Sequence, residues 1–368
     1  MPRRMVFDRW LFITAGALVA GGLLIVGSAS NFAGMRYGGN ASAFYIKHLV
    51  AVVIATVAML VALYVPYQRL DRRGVVLGLL GICAVLLLLV LGMPAAGGAH
   101  RWIPLGPYFK LQPSELTKVF GVVFMAYMLS RKEDRVNELW QVPMPCLGVI
   151  GALSFLIVIE PDLGSAVMLV AVAGLMIFVA GLSLRLTAAA AGLGMAALVV
   201  AIVAESYRWA RVKAYALAML DPAIGGGGIE YQLNQSLIAI GNGGLTGTGF
   251  GRGLGKAFFV PAVHTDFIFS VIGEELGLLG TSALLGAFLL IYWRGIRAAR
   301  RAPDRFGFYL ALGLTNMIVL QALINMSVCL GLLPTKGMPL PFISYGGSSL
   351  LATMTAMGLL INVSQHSN

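Results

Sequence analysis

The stretch VVLGLLGICAVLLLLVLGM, residues 75–93, contains no charged residue. At 1.5 Å per residue it makes a helix of about 28 Å, close to the roughly 30 Å of bilayer hydrocarbon. In lipid every backbone N–H and C=O must be bonded within the protein, which leaves helices or closed barrels. A run that is apolar throughout, without two-residue alternation, selects the helix. Comparable runs recur along the 368-residue chain, and ten spans are read at roughly 10–29, 46–65, 75–93, 113–129, 143–159, 163–180, 187–204, 267–292, 306–330 and 344–363. Composition supports this: 59% of residues are hydrophobic and 11% charged, against about 25% charged in soluble domains. The expectation is an all-α polytopic membrane protein, a single integral domain over 1–368 with one long loop, about 205–266. The first span has no A-x-A-like site after it and reads as a retained helix.

The net charge of +11 would suit a nucleic-acid binder, but the charges lie between spans, where the topology rule accounts for them and no nucleic acid is implied. With the N-terminus in the cytoplasm, the inside segments hold fifteen Lys and Arg, among them Arg294, Arg297, Arg300, Arg301 and Arg305. The short outside loops hold Arg36, Lys47, Arg101, Lys110 and Lys336. Both termini are therefore expected in the cytoplasm and the loop 205–266 outside. Cys83, Cys146 and Cys329 all fall inside apolar runs, which fits neither a disulfide framework nor metal-ligand spacing.

In the long loop, RWARVKAYALAMLDP and YQLNQSLIAIG are amphipathic and suited to a membrane surface. Gly225 to Gly228 form a joint between them. GGLTGTGFGRGLGK fails as a nucleotide loop, because Phe250 stands where Gly is needed and Ala257 follows Lys256 where Ser or Thr is needed. It remains either a pliable surface loop or a run of exposed amides that help hold a diphosphate.

Charges that enter the spans are the informative ones, since each costs roughly 2.5–3.5 kcal/mol at the bilayer centre. AVHTDFIFSVIGEELGLLG, residues 262–280, has His264 and Asp266 at its mouth and Glu274 and Glu275 farther in. Thr265 suits an N-cap, which would put Asp266 in the first helical turn, a place acidic residues favour for electrostatic reasons alone. The same placement suits a base at a membrane surface. Glu274 and Glu275 lie about 80° and 180° around from Asp266 and about 12 Å deeper. One is expected to pair with an intramembrane cation or to line a polar interior. In HRWIPLGPYFKLQPSELTKV, residues 100–119, Glu115 and Lys118 share a face at i,i+3. They are either a buried ion pair or a cation beside a lipid diphosphate. IEPDLGSA adds Glu160 and Asp162, and LLPTKGMPLPFISYGGSSL adds Ser344 and Tyr345 in a Pro- and Gly-rich segment that argues for a polar cavity.

RWIPLGPYFKLQPSELTK, EPDLGSA, YQLNQSLIAIGNGG, HTDFIFSVIGEELG and LLPTKGMPLPFISYGGSS, in this order along the whole chain, resemble the signature blocks of the SEDS family of shape, elongation, division and sporulation proteins. The PTKG form and Ser28 to Ser30 are closer to the division branch than to the elongation branch, with the sporulation branch near the former. Asn242 stands where Ser is common. The resemblance implies a ten-helix peptidoglycan glycosyltransferase of the bacterial cytoplasmic membrane acting on lipid II at the septum. It implies Asp266 as the essential carboxylate, and Glu115, Lys118 and Trp102 as functional residues. Arg101, His264, Arg211, Lys256, Gln235, Ser344 and Tyr345 complete the expected substrate-binding set. A class B penicillin-binding transpeptidase and other division proteins are the implied partners, beside membrane lipid. Charge for the leaving diphosphate would come from Lys118, Arg101, Arg211 or Lys256, with a divalent cation, Mg²⁺ or Mn²⁺, as a further source and no nucleotide. Two rivals stay open: a lipid II flippase and a non-catalytic division scaffold.

Overall fold

The apolar runs become helices whose burial grades from the centre outward. The computed structural model describes residues 7–36, 41–93, 101–220, 229–253, 265–335 and 337–366. Twelve α-helices lie among these: α1 Arg9–Arg36, α2 Ala41–Tyr64, α3 Arg73–Leu91, α4 Pro113–Lys132, α5 Pro143–Ile159, α6 Leu163–Val179, α7 Leu184–Val203, α8 Ser206–Leu220, α9 Ile229–Gly243, α10 Ile268–Arg300, α11 Arg305–Cys329 and α12 Gly347–His366. All but α8 and α9 fall on the ten expected spans. Seven are long and apolar enough to cross a membrane by themselves, while α5 and α6 are shorter apolar helices. A small hairpin, β1 Ile103–Pro104 with β2 Lys110–Leu111, precedes α4.

In α11 and α12, 78% and 83% of the spanning window is buried; in α7, none is. The first two, with α4, form the centre of the bundle. α7 and the outer face of α3 present Leu77, Ile82, Val85 and Leu193 outward, as lipid contact requires. The central helices approach through small residues. A Cβ on Gly358 of α12 would lie 2.4 Å from the Met59 carbonyl of α2, and one on Gly121 of α4 would lie 2.6 Å from Leu169 of α6. Close backbone approach of this kind maximises dispersion where lipid removes the hydrophobic drive.

Side chains at one end join the segments that the charge bias placed together. Asn362 donates to the carbonyls of Leu63 (2.6 Å) and Val65 (2.9 Å), which satisfies the last turn of α2. The Tyr67 hydroxyl meets Asp304 at 2.5 Å, Arg131 pairs with Asp71, and Arg305 reaches Glu133 at 3.3 Å. This is called the arginine end below, and the opposite one the Asp266 end.

Two features of the long loop differ from expectation. α9 does not merely lie on a membrane surface. Ser236 is buried and bonded to Ser270 (2.5 Å) and the Cys329 carbonyl (2.8 Å), so α9 is seated on α10 and α11. And α10 is broken at Gly277, whose φ of 64° and ψ of −159° interrupt the helical ladder. Residues 244–249 fill the break. Thr248 and Gly249 N–H donate to the Glu274 and Glu275 carbonyls at 2.9 and 3.1 Å. Leu278 and Leu279 N–H donate to Gly244 and Leu245 carbonyls at 2.9 and 3.2 Å. The fit needs glycine: a Cβ on Gly247 would sit 2.1 Å from the Glu275 carbonyl, and one on Gly277 2.4 Å from the Gly247 nitrogen. The glycine-rich segment thus stays at the surface, but its backbone is bonded into the break as a plug rather than left pliable.

Candidate functional site

At the Asp266 end the helix starts are knitted by side chains rather than by apolar packing. Asp162 caps α6 by accepting from Ser165 N–H (3.2 Å), and also accepts from Ser114 (2.9 Å) and Gln112 (3.0 Å) at the start of α4. The Gln112 N–H in turn donates to Ser348 (2.8 Å), whose hydroxyl donates to the Lys110 carbonyl (2.6 Å). Burial opposes ionisation of Asp162, but the Ser165 bonds and the charges of Arg101 and Lys118 outweigh it and hold this carboxyl below its ordinary value. The Arg101 Nε donates to the Glu160 carbonyl at 3.0 Å, and the same guanidinium reaches the Pro161 carbonyl. Glu160 itself is fully buried, and both its oxygens lack a hydrogen-bond partner among the described residues. Burial, reinforced by Asp162, pushes its carboxyl up to about 8 despite Arg101.

One layer deeper, Glu115 and Lys118 are both buried and form an ion pair at 2.9 Å. The Lys118 ammonium also donates to Gln321 at 2.8 Å. Gln321 passes the connection on, donating to the Pro339 carbonyl at 3.0 Å. One turn along α11, Asn325 donates to the Met338 carbonyl (2.7 Å) and the Asp266 carbonyl (2.9 Å). Two amides at i,i+4, about 6 Å apart along the axis, therefore tie the Lys118 pair, the segment 338–339 and Asp266 into one frame.

Asp266 does not occupy the first helical turn. α10 starts at Ile268 with Phe267 as its N-cap, because Asn325 holds the Asp266 backbone outside the helix. The side chain lies against Gly337, where a Cβ would be 2.8 Å from Oδ2. Burial raises the Asp266 carboxyl to about 6, with Arg211 and Arg101 pulling it down and Asp162 pushing it up. Arg211, on α8, is held by the Thr335 carbonyl (3.2 Å) and the Tyr207 hydroxyl, with its buried Nε unpartnered among the described residues.

The structure thus gathers Arg101, Glu115, Lys118, Arg211 and Asp266 at one end. Trp102 is half-buried just before the hairpin, and Gln235 is half-buried on α9. Tyr345 is half-buried with its ring 5.6 Å from that of His48. Ser344 is a structural turn, accepting from the Leu340 N–H at 2.8 Å. His264 and Lys256 lie outside the described residues. Glu275 accepts from Gly251 N–H (3.1 Å) and Ser28 (3.2 Å), so it clamps the plug to α1. With the Thr248, Gly249 and Gly251 amides bonded inside the protein, those three do not form an anion cradle. Gln321 and Asn325 were missed in the sequence. Their signal was two amides at helical i,i+4 spacing in the apolar run TNMIVLQALINMSVC.

No three metal-ligating side chains come together among the described residues. Among the described residues Asp162 is occupied by Ser114, Gln112 and Ser165, and burial pushes the Glu160 carboxyl up to about 8.

Residues 8–368 match the cell cycle protein family that unites FtsW, RodA and SpoVE. Proteins named probable peptidoglycan glycosyltransferase FtsW from Trichlorobacter lovleyi and Geobacter metallireducens are each 40% identical to this chain over 97% of its length, and are covered over 93% and 94% of theirs. Among solved structures, the rod shape determining protein RodA of Thermus thermophilus is 27% identical, with a TM-score of 0.70 over 99% of this chain and 98% of that one. A chain from a peptidoglycan synthase complex that coordinates polymerization and crosslinking is 28% identical, with a TM-score of 0.79 over 98% of both. With the signature blocks in order and the family match spanning residues 8–368, the chain belongs to the FtsW/RodA/SpoVE family of cell cycle proteins.

Proposed function

We propose that this protein is a peptidoglycan glycosyltransferase that polymerises lipid II into β-1,4 glycan strands for the division septum, with its site on the extracytoplasmic side of the bacterial inner membrane. The observation that carries the reading is the Asp266 carboxyl, raised to about 6 by burial against the lowering effect of the Arg211 and Arg101 charges. A base tuned near the working pH is ionised yet still accepts a proton readily. Asp266 takes the proton from the sugar 4-hydroxyl of one lipid II as that oxygen attacks the anomeric carbon of the growing strand. Undecaprenyl diphosphate leaves with the bonding electron pair, and the carbon inverts. This leaving group needs charge stabilisation rather than a proton, so a glycosidase-type second carboxylate is not required. Arg101 and Arg211 supply that charge, with Lys118 beneath them. Any divalent cation would be held chiefly by the substrate's own diphosphate, and no step above depends on it.

The relatives named probable peptidoglycan glycosyltransferase FtsW support the activity and its place in division. The synthase complex among the structural neighbours supports a penicillin-binding transpeptidase as partner. The test is polymerisation of purified lipid II by the purified protein, with and without its cognate transpeptidase. Glycan strands that disappear in Asp266→Asn uphold the proposal. Lipid II transport without any glycan would instead identify a flippase.

A further inference from the structure

α10 does not stop at the expected edge of its span but continues to Arg300. Its last turns separate two clefts at the arginine end. One, of 460 Å³, is walled by Tyr292, Trp293 and Ile296 and rimmed by Arg297, Arg300 and Arg301. The other, of 370 Å³, has Phe7 and Asp8 from just before α1, Arg9 and Trp10 from its first turn, and Arg294, Arg297 and Arg301, with Asp8 committed to Arg294. Arg297 and Arg301 border both. Trp293 and Trp10 are 61% and 58% exposed, at the level where aromatic rings mark the boundary between hydrocarbon and headgroups.

The charge here is not balanced within the protein. Arg294 is paired with Asp8, the contact being 2.5 Å. Arg9, Arg297, Arg300 and Arg301 are exposed and have no side-chain bond or ion pair among the described residues. Arg300 and Arg301 stand at i+3 and i+4 from Arg297, spacings at which like charges destabilise a helix. The helix C-terminus offsets only about half an elementary charge. The ordinary reading is solvated topology-setting charge, for which Lys would serve as well. Yet every cation in residues 293–305 is Arg. The guanidinium fork matches phosphate oxygens bidentately, whereas the Lys ammonium is a point charge. Each cleft joins that fork to an apolar, aromatic wall lying in line with the membrane helix.

We propose that the arginine end of α10, with the start of α1, binds the headgroup of an anionic phospholipid, best one that carries two phosphates. Arg300 and Arg297 hold one phosphate and Arg301 and Arg9 the other. Ile296, Trp293 and Trp10 lie along the upper acyl chains.

The test uses full-length protein, delipidated in neutral detergent and titrated by native mass spectrometry with diphosphatidylglycerol, phosphatidylglycerol and phosphatidylcholine of matched chains. Diphosphatidylglycerol should bind at least about tenfold more tightly than phosphatidylcholine. Arg297→Lys with Arg301→Lys keeps the charge and the topology signal but removes the forks. It should lose about that tenfold preference while phosphatidylcholine binding stays constant. Arg300→Gln, at an exposed position in one cleft only, should give a partial loss and guards against misfolding of the double variant. Equal binding by the lysine variant and the parent would overturn the site in favour of diffuse charge. Binding of the soluble, chain-free bisphosphate headgroup as tight as that of the intact lipid would overturn the lipid as its occupant.

Discussion

The two ends of α10 treat charge in opposite ways. At one, Glu274 and Glu275 are buried, and the Asp266 backbone is gripped by Asn325. There the helix is broken at Gly277 and rebuilt by a strand of glycine-rich chain. At the other, an unbroken helix runs outward and presents Arg297, Arg300 and Arg301 on its surface. The difference teaches where geometry is specified. A buried polar group left unbonded costs about 1–3 kcal/mol, so Asp162, Lys118, Gln321 and Asn325, each bonded across elements, hold the Asp266 end in one arrangement. Exposed arginines cost little in any rotamer, so their end is fixed by the apolar turns beneath them.

The largest contrast should come from Asp266→Asn, which keeps the shape and removes the base. Lipid II polymerisation should fall by about 10²–10⁴-fold while melting temperature and lipid II binding change little. Full glycan synthesis by the purified variant would remove Asp266 from the chemistry. Arg301→Gln at the other end should leave polymerisation in detergent within about twofold.

Next in size is the Lys118 frame. Lys118→Met leaves Glu115 buried without its ion-pair partner, a change that costs about 3–5 kcal/mol in stability, and adding Glu115→Gln should return most of it. If activity returns along with stability, Lys118 has only a structural role. If stability returns and activity does not, the ammonium meets substrate. Breaking the Arg305–Glu133 pair, half-exposed at the other end, should cost under about 1 kcal/mol by the same thermal assay.

The plug gives a third, intermediate effect. Gly277→Ala forces a side chain into a φ of 64° and against the Gly247 nitrogen. The backbone strain alone is of order 1–3 kcal/mol. Gly286→Ala, which meets open space on the unbroken part of the same helix, should be neutral or slightly stabilising. Equal melting temperatures for the two variants would show that the break is not a specified feature.

The smallest effects concern protons. Turnover should fall as pH drops through about 6, where Asp266 takes up its proton. Acid unfolding through this group would not mimic that loss. Its folded value is raised, so its contribution to stability is complete at low pH and is lost as pH rises through about 6. Glu160→Gln should change turnover at pH 7 by less than about threefold, because a carboxyl pushed up to about 8 is already neutral there. A drop as large as that of Asp266→Asn would assign Glu160 a charged role.

Much of this protein was determined by sequence alone, for a reason peculiar to lipid. The hydrocarbon demands helices of about 20 apolar residues, so the ten spans were legible as runs and the helices fall on them. The i,i+3 spacing of Glu115 and Lys118 is a local property, and the pair forms as that spacing requires. What tertiary structure decided are the contacts across long separations. No local rule places Asn325 on the Asp266 carbonyl or Gln321 on Lys118, since the partners lie 59 and 203 residues apart. Nor does VIGEELGLLG show that its helix breaks. Gly277 tolerates both conformations, and the unbonded carbonyls of Glu274 and Glu275 are acceptable inside a membrane only because residues 244–249 bring the missing N–H groups to them.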